Sequence, residues 1–172
     1  PVCPPGTISI LPGRDACTPC PEGQYSFSAT QCALCSGGTY ASGNGNAVCT
    51  PCPAGSTQKE PGAAGCNTCP AGKHAGADTH CQDCIPGQYS AEGAEDCANC
   101  PLGQFQPIAG QASCSTCAAG TFAQAGATSC TSCPSGKYQE AVGLGHCADC
   151  PPGEFAATSN SSKCTACPVG KI

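Results

Sequence analysis

The chain has 172 residues and a net charge of −5, yet Leu, Ile, Val and Phe together number 17, and Trp and Met are absent. So little apolar surface cannot offset the conformational entropy of ordering the chain, which excludes a conventional hydrophobic core. Cys is the opposite extreme, at 21 residues, and staples at that density belong to an oxidising, extracellular or cell-surface setting because cytosolic thiols are kept reduced.

The basic residues Arg14, Lys59, Lys73, Lys137, Lys163 and Lys171 are scattered, which argues against nucleic acid as a partner. No stretch approaches the ~20 apolar residues of a membrane span. The first residue is Pro1 rather than Met, and no terminal copy reads as a polar cap, so the expectation is a window from a longer secreted or membrane-anchored protein.

Read in order, the chain is one unit repeated. Cys-x-x-Cys pairs fall at 17/20, 32/35, 49/52, 66/69, 81/84, 97/100, 114/117, 130/133, 147/150 and 164/167. Counted from the second Cys of each pair, copies 1 to 10 open at Cys3, Cys20, Cys35, Cys52, Cys69, Cys84, Cys100, Cys117, Cys133 and Cys150, with a partial copy from Cys167. Each reads Cys-Pro-x-Gly-x-aromatic, as in Cys100-Pro101-Leu102-Gly103-Gln104-Phe105. The aromatic recurs as Tyr25, Tyr40, Tyr89, Phe105, Phe122, Tyr138 and Phe155; Ile8 stands there in copy 1, and Thr57 and His74 replace it in copies 4 and 5. Ser36, Ile85 and Ala118 replace the usual Pro.

Pro followed by Gly is turn chemistry, and the aromatic two residues on is expected to cover a disulfide. A second Gly stands four residues before the closing Cys at 13, 45, 62, 93, 110, 126 and 143, and Asn160 takes that place in copy 10. Asn tolerates the left-handed conformation best among non-glycine residues, so this position predicts a tight turn between two short strands. Each copy is then a small hairpin, and copies are expected to touch only their nearest neighbours. The missing aromatics predict weaker packing over 52–84.

Three disulfide schemes compete. A ring inside one Cys-x-x-Cys holds nothing distant together. A nested scheme would double the repeat, but the pair-to-pair spacings of 15, 17, 17, 15, 16, 17, 16, 17 and 17 show no two-copy alternation. The third joins the second Cys of one pair to the first of the next: Cys3–Cys17, Cys20–Cys32, Cys35–Cys49, Cys52–Cys66, Cys69–Cys81, Cys84–Cys97, Cys100–Cys114, Cys117–Cys130, Cys133–Cys147 and Cys150–Cys164. It treats every copy alike and leaves Cys167 to a partner past Ile172, so it is the favoured scheme, although spacing alone leaves connectivity open. A bridge closing about 15 residues contributes ~3 kcal/mol in the chain-entropy model.

Cys17, Cys20, Cys32 and Cys35 also stand at zinc-ligand spacing, but the period is continuous rather than grouped in fours. A redox Cys-x-x-Cys needs a helix start in a βαβ fold, which the pattern lacks. His74, His80 and His146 occupy different places in different copies, with no nucleophile arrangement around them. Glu92, Glu95 and Asp96 form the densest acidic group, without calcium-loop spacing. The expectation is no enzyme, no metal and no cofactor. Asn160-Ser161-Ser162 is an acceptor sequon for N-glycosylation.

The unit Cys-Pro-x-Gly-x-(Tyr/Phe)…Gly-x-x-x-Cys-x-x-Cys resembles the ephrin-receptor-like cysteine-rich repeat and is similar to the one-bridge module of tumour-necrosis-factor receptors. The resemblance implies an extracellular, disulfide-laddered, elongated array of β-hairpins without catalytic residues. The fold class is therefore a small disulfide-rich β array, one disulfide per copy, over 1–172. The expected function is a structural segment of a stalk, surface coat or filament, with other copies, other surface proteins and glycans as partners. The alternative is a ligand-binding or adhesion ectodomain of a receptor.

Overall fold

A computed structural model describes residues 3–10, 16–76 and 79–168. The turn residue Gly13, with Arg14, and Gly170 to Ile172 of the partial copy lie outside the described residues.

The regular structure among the described residues is ten two-stranded antiparallel hairpins, one to a copy. In chain order they are β1 (Thr7–Ile8) with β2 (Thr18–Pro19), β3 (Gln24–Ser28) with β4 (Gln31–Leu34), β5 (Thr39–Tyr40) with β6 (Thr50–Pro51), β7 (Ser56–Thr57) with β8 (Asn67–Thr68), and β9 (Lys73–His74) with β10 (Gln82–Asp83). Then follow β11 (Gln88–Tyr89) with β12 (Ala98–Asn99), β13 (Gln104–Phe105) with β14 (Ser115–Thr116), β15 (Thr121–Phe122) with β16 (Thr131–Ser132), β17 (Lys137–Tyr138) with β18 (Ala148–Asp149), and β19 (Glu154–Phe155) with β20 (Thr165–Ala166). The register repeats: Gln104 faces Thr116 and Phe105 faces Ser115, as Lys137 faces Asp149 and Tyr138 faces Ala148. The β3–β4 pair alone is longer than two residues per strand among these hairpins, and it carries an irregularity between Ser26 and Ser28.

The opening turn starts each hairpin. In copy 7 the Gln104 N–H donates to the Pro101 carbonyl at 3.1 Å, with Gly103 at φ 77° in the third position. That is the arrangement of a type II turn, which requires positive φ there. The proline contributes its carbonyl at the first position, so its ring is dispensable. Thr39 and Thr121 make the same 3.1 Å bond to Ser36 and Ala118, and Gln88 bonds Ile85 at 3.0 Å. Departures from Pro therefore cost no turn hydrogen bond. The next opening Cys closes the hairpin, as Cys117 N–H donates to Gly103 O at 2.9 Å.

Ten disulfides join the cysteines within copies, from Cys3–Cys17 through Cys100–Cys114 to Cys150–Cys164, with Cα separations of 5.6 to 5.8 Å. The opening cysteines form the dry centre: Cys20, Cys35, Cys69, Cys84, Cys100, Cys117 and Cys133 are buried to within 1% of full burial. The aromatic rings, expected to cover the disulfides, are only half-buried, and Phe155 is exposed. The residue after the aromatic goes inside instead: Ala41, Ser90, Gln106, Ala123, Gln139 and Ala156 are all buried.

At that position Gln ties down its own loop. Gln106 Nε2 donates to Ser113 O at 2.7 Å while its Oε1 accepts from Ile108 N at 3.2 Å. Gln139 does the same with His146 O and Ala141 N, and Gln58 with Gly65 O and Glu60 N. Each replaces strand pairing across a loop too long to pair with itself. Copies 4 and 5, where weaker packing was expected, keep their hairpins. Thr57 is buried with its hydroxyl 3.5 Å from Cys81 Sγ, and His74 has a buried Nδ1 without a hydrogen-bond partner.

The described residues gather into two compact units. One holds those up to Pro70 with 74–82 and 92–96; the other holds 71–73, 83–91 and those from Cys97 onward.

Gln106→Ala should lower the local unfolding free energy of copy 7 by about 1–2 kcal/mol, because it removes a buried side chain whose two part-buried bonds hold the loop backbone at Ile108 and Ser113. Gln124→Ala, which removes one exposed bond to Gly145 O, should be near neutral. Hydrogen exchange read copy by copy checks the pair; equal effects would remove the structural role assigned to Gln106.

Candidate functional site

The recurring constellation in this molecule is the seam between consecutive copies, and it is built from backbone. In the second unit, the Gly103 N–H of copy 7 donates to Ala123 O of copy 8 at 2.8 Å. Gln106 N–H donates to Ala127 O at 3.1 Å, and Gly126 N–H returns a bond to Cys100 O at 2.8 Å. The same three bonds recur one copy on, from Gly120 to Gln139 O, Ala123 to Leu144 O and Gly143 to Cys117 O. In the first unit, Gly23, Ser26 and Gly45 repeat them with Ala41, Asn46 and Cys20. Three such bonds, at a net ~1 kcal/mol each, make the seam comparable to one disulfide without asking for any particular side chain.

A second contact reaches further than expected. In seven copies, those of Gly6, Gly23, Gly55, Gly72, Gly87, Gly103 and Gly120, the opening glycine lies under the turn of the copy two along. A Cβ placed on Gly103 would stand 2.0 Å from the carbonyl oxygen of Gly143 in copy 9. The corresponding distances are 1.9 Å from Gly6 to Gly45 and from Gly23 to Gly62, and 2.1 Å from Gly72 to Gly110. The expectation that copies touch only nearest neighbours is therefore corrected: two backbones meet at van der Waals distance two copies apart, and only a missing side chain lets them. Sequence reading found this glycine through its turn and missed the contact, since nothing local to copy 7 encodes copy 9.

The turn itself lies where the sequence placed it. Gly45, Gly62, Gly93, Gly110, Gly126 and Gly143 have φ between 71° and 82°, and Asn160 has φ 65°. Asn160 is exposed, its N–H donates to Cys133 O at 2.8 Å, and its carbonyl covers Gly120.

The remaining candidates are not brought together. His80 and His146 are exposed, as are Glu92, Glu95 and Asp96. Among the described residues no group of three or more His, Cys, Asp or Glu side chains could hold a metal ion. Cys17, Cys20, Cys32 and Cys35 are all in disulfides, to Cys3, Cys32, Cys20 and Cys49, so no four-thiolate site exists there. Cys167 is half-buried and holds no disulfide. The cross-strand pairs Lys73–Asp83 and Lys137–Asp149, at 2.7 and 2.6 Å, are at the surface, where such pairs contribute little. A shallow depression of about 210 Å³ in the first unit is lined by Tyr25, Leu34, Ser36, Thr39, Val48 and Cys49. No helix of the described residues is long and apolar enough to cross a membrane.

Residues 87–124 and 120–161 match a family model described as tyrosine-protein kinase ephrin type A/B receptor-like. The matched stretch runs from the opening glycine of copy 6, Gly87, through most of copy 10, and it consists of the cysteine-rich hairpins. Any kinase activity in that description is said of the receptors it is named after. No curated protein matches the chain.

Gly103→Ala and Gly136→Ala separate the two roles of the opening glycine. Both impose positive φ on alanine, 77° and 81°, but no described residue lies within 4 Å of a Cβ at Gly136. Gly136→Ala should cost about 1–2 kcal/mol of backbone strain. Gly103→Ala should cost clearly more and raise hydrogen exchange in copy 9 as well as copy 7. Equal costs, or an effect confined to copy 7, would show that the two-copy contact carries no energy.

Proposed function

We propose that this chain, which carries ephrin-receptor-like cysteine-rich repeats, is a non-catalytic structural segment of an extracellular stalk, surface coat or filament. Repeats of this disulfide-rich kind are extracellular modules without catalytic machinery, and the bridges need an oxidising compartment. The observation that carries the structural reading is the seam. Its recurring hydrogen bonds come from main chain, with side chains adding bonds at single seams, and its close approach comes from glycine, so copies can be joined in series in the same way. Ala, Gly, Ser and Thr suffice elsewhere. Such a design favours repetition and spacing over recognition, and other copies or other surface proteins are its natural partners.

One observation favours a receptor or adhesion reading. Phe27 is 67% exposed, edge-to-face on Tyr25 at 6.4 Å, and Leu34 and Val48 are exposed in the same unit. Exposed aromatic anchors of this kind supply binding hot spots.

Small-angle scattering decides the structural reading. A stalk or filament segment should give a radius of gyration well above the ~16 Å of a compact domain of this length, with a rod-like cross-section. A compact particle would overturn it. Capture of a soluble protein ligand that is lost on Phe27→Ser would favour the receptor reading instead.

A further inference from the structure

We infer that Asn160 is an N-glycan acceptor, and that the sugar is carried at the tip of copy 10 directly above copy 8. The inference rests on the extracellular reading. Asn160-Ser161-Ser162 is the one Asn-x-Ser/Thr in the chain, with Ser at 161 and at 162. The backbone need at this position is met by glycine in other copies: a residue at positive φ whose N–H reaches the preceding copy. Nothing in the turn therefore requires an amide side chain.

The amide is also unemployed. Asn44 Oδ1 accepts from Glu22 N, Asn46 Nδ2 donates to Ser42 and Gly43 carbonyls, and Asn99 Oδ1 accepts from Gln88 Nε2. Asn160 makes no side-chain hydrogen bond among the described residues, although its Oδ1 stands 3.2 Å from where a Cβ on Gly120 would be. Both Asn160 and Ser162 are exposed, and the Ser162 hydroxyl is likewise unbonded, while the intervening Ser161 Oγ is turned onto Thr158 O at 2.7 Å. The two groups that define a sequon are thus the two left free, and the residue between them is tied to the protein.

The step takes a polyprenyl-diphosphate-linked oligosaccharide as donor and a secretory-pathway transferase as catalyst. Asn160 Nδ2 attacks the anomeric carbon, a C–N bond forms, and the C–O bond to diphosphate breaks. The amide loses one proton to the enzyme, and the polyprenyl diphosphate departs with the electron pair. No oxidation or reduction is involved. The product keeps the Asn160 backbone, so the turn over Gly120 is retained and the glycan projects from an already exposed tip.

The chain secreted from a eukaryotic host, mapped by mass spectrometry before and after amidase release of N-glycans, tests this. The peptide holding Asn160 should carry a glycan mass that is released enzymatically. The mass should vanish in Asn160→Gly, which keeps a turn residue suited to φ 65°, and in Ser162→Ala, which leaves Asn160 in place. A bare Asn160 in secreted protein with its ten disulfides formed, and with co-secreted host glycoproteins occupied, would overturn the inference, as would a mass that survives Ser162→Ala. Retention of the protein inside the cell with its ten disulfides reduced would count against the extracellular reading, and the inference would fall with it.

Discussion

The structure depends on a contact between main chains. A copy of some 16 residues has no interior of its own, and its cystine can close a loop but cannot orient that loop against the next. The orientation comes from the seam, where Gly103, Gln106 and Gly126 N–H groups find the carbonyls of Ala123, Ala127 and Cys100. Because buried polar backbone must be paired, each seam that excludes water has to satisfy these groups together or not form. The same pairing shields the opening cysteines, which is why Cys100 and Cys117 are fully buried in a chain almost devoid of large apolar side chains.

Glycine makes this geometry possible and also limits it. The opening Gly performs a local task, the positive φ of a type II turn, and in most copies, such as that of Gly103, a remote one, the absence of a Cβ beneath a carbonyl two copies away. Loop length can vary under these constraints: the bridged cysteines are 12 apart in copy 2, 13 in copy 6 and 14 in copy 7. The extra residues are taken up in the loop, where Gln58, Gln106 and Gln139 replace missing backbone partners. Variation is thus confined to the outside of each hairpin, and the seam sees a constant surface. This is how repeats with few shared residues keep one architecture.

What could be read from the sequence was local or periodic. The hairpin class and one bridge per copy followed from the Cys period, and the left-handed turn at Gly110 or Asn160 followed from residue type. The contact of Gly103 with Gly143 could not be read, because it joins residues two periods apart and any period-based reading treats them as equivalents rather than partners. The inward position was legible and was missed. After the aromatic or its substitute stand Ser9, Ser26, Ala41, Gln58, Ala75, Ser90, Gln106, Ala123, Gln139 and Ala156, and three residue types fill ten places. Attention to the large ring obscured it, since strand alternation sends the next side chain to the opposite face, and that face is the buried one.

A repeat joined mainly through main chain leaves many side chains at the surface, Phe27 among them. The central claim is that the seam, more than side-chain packing, holds consecutive copies together. Residue-resolved amide exchange on the unmodified, oxidised chain tests it most directly. The seam amides of Gly103, Gln106 and Gly126 should exchange as slowly as the hairpin amide of Cys117. Seam amides exchanging at open-loop rates while Cys117 stays protected would contradict it, leaving ten stapled hairpins on a string.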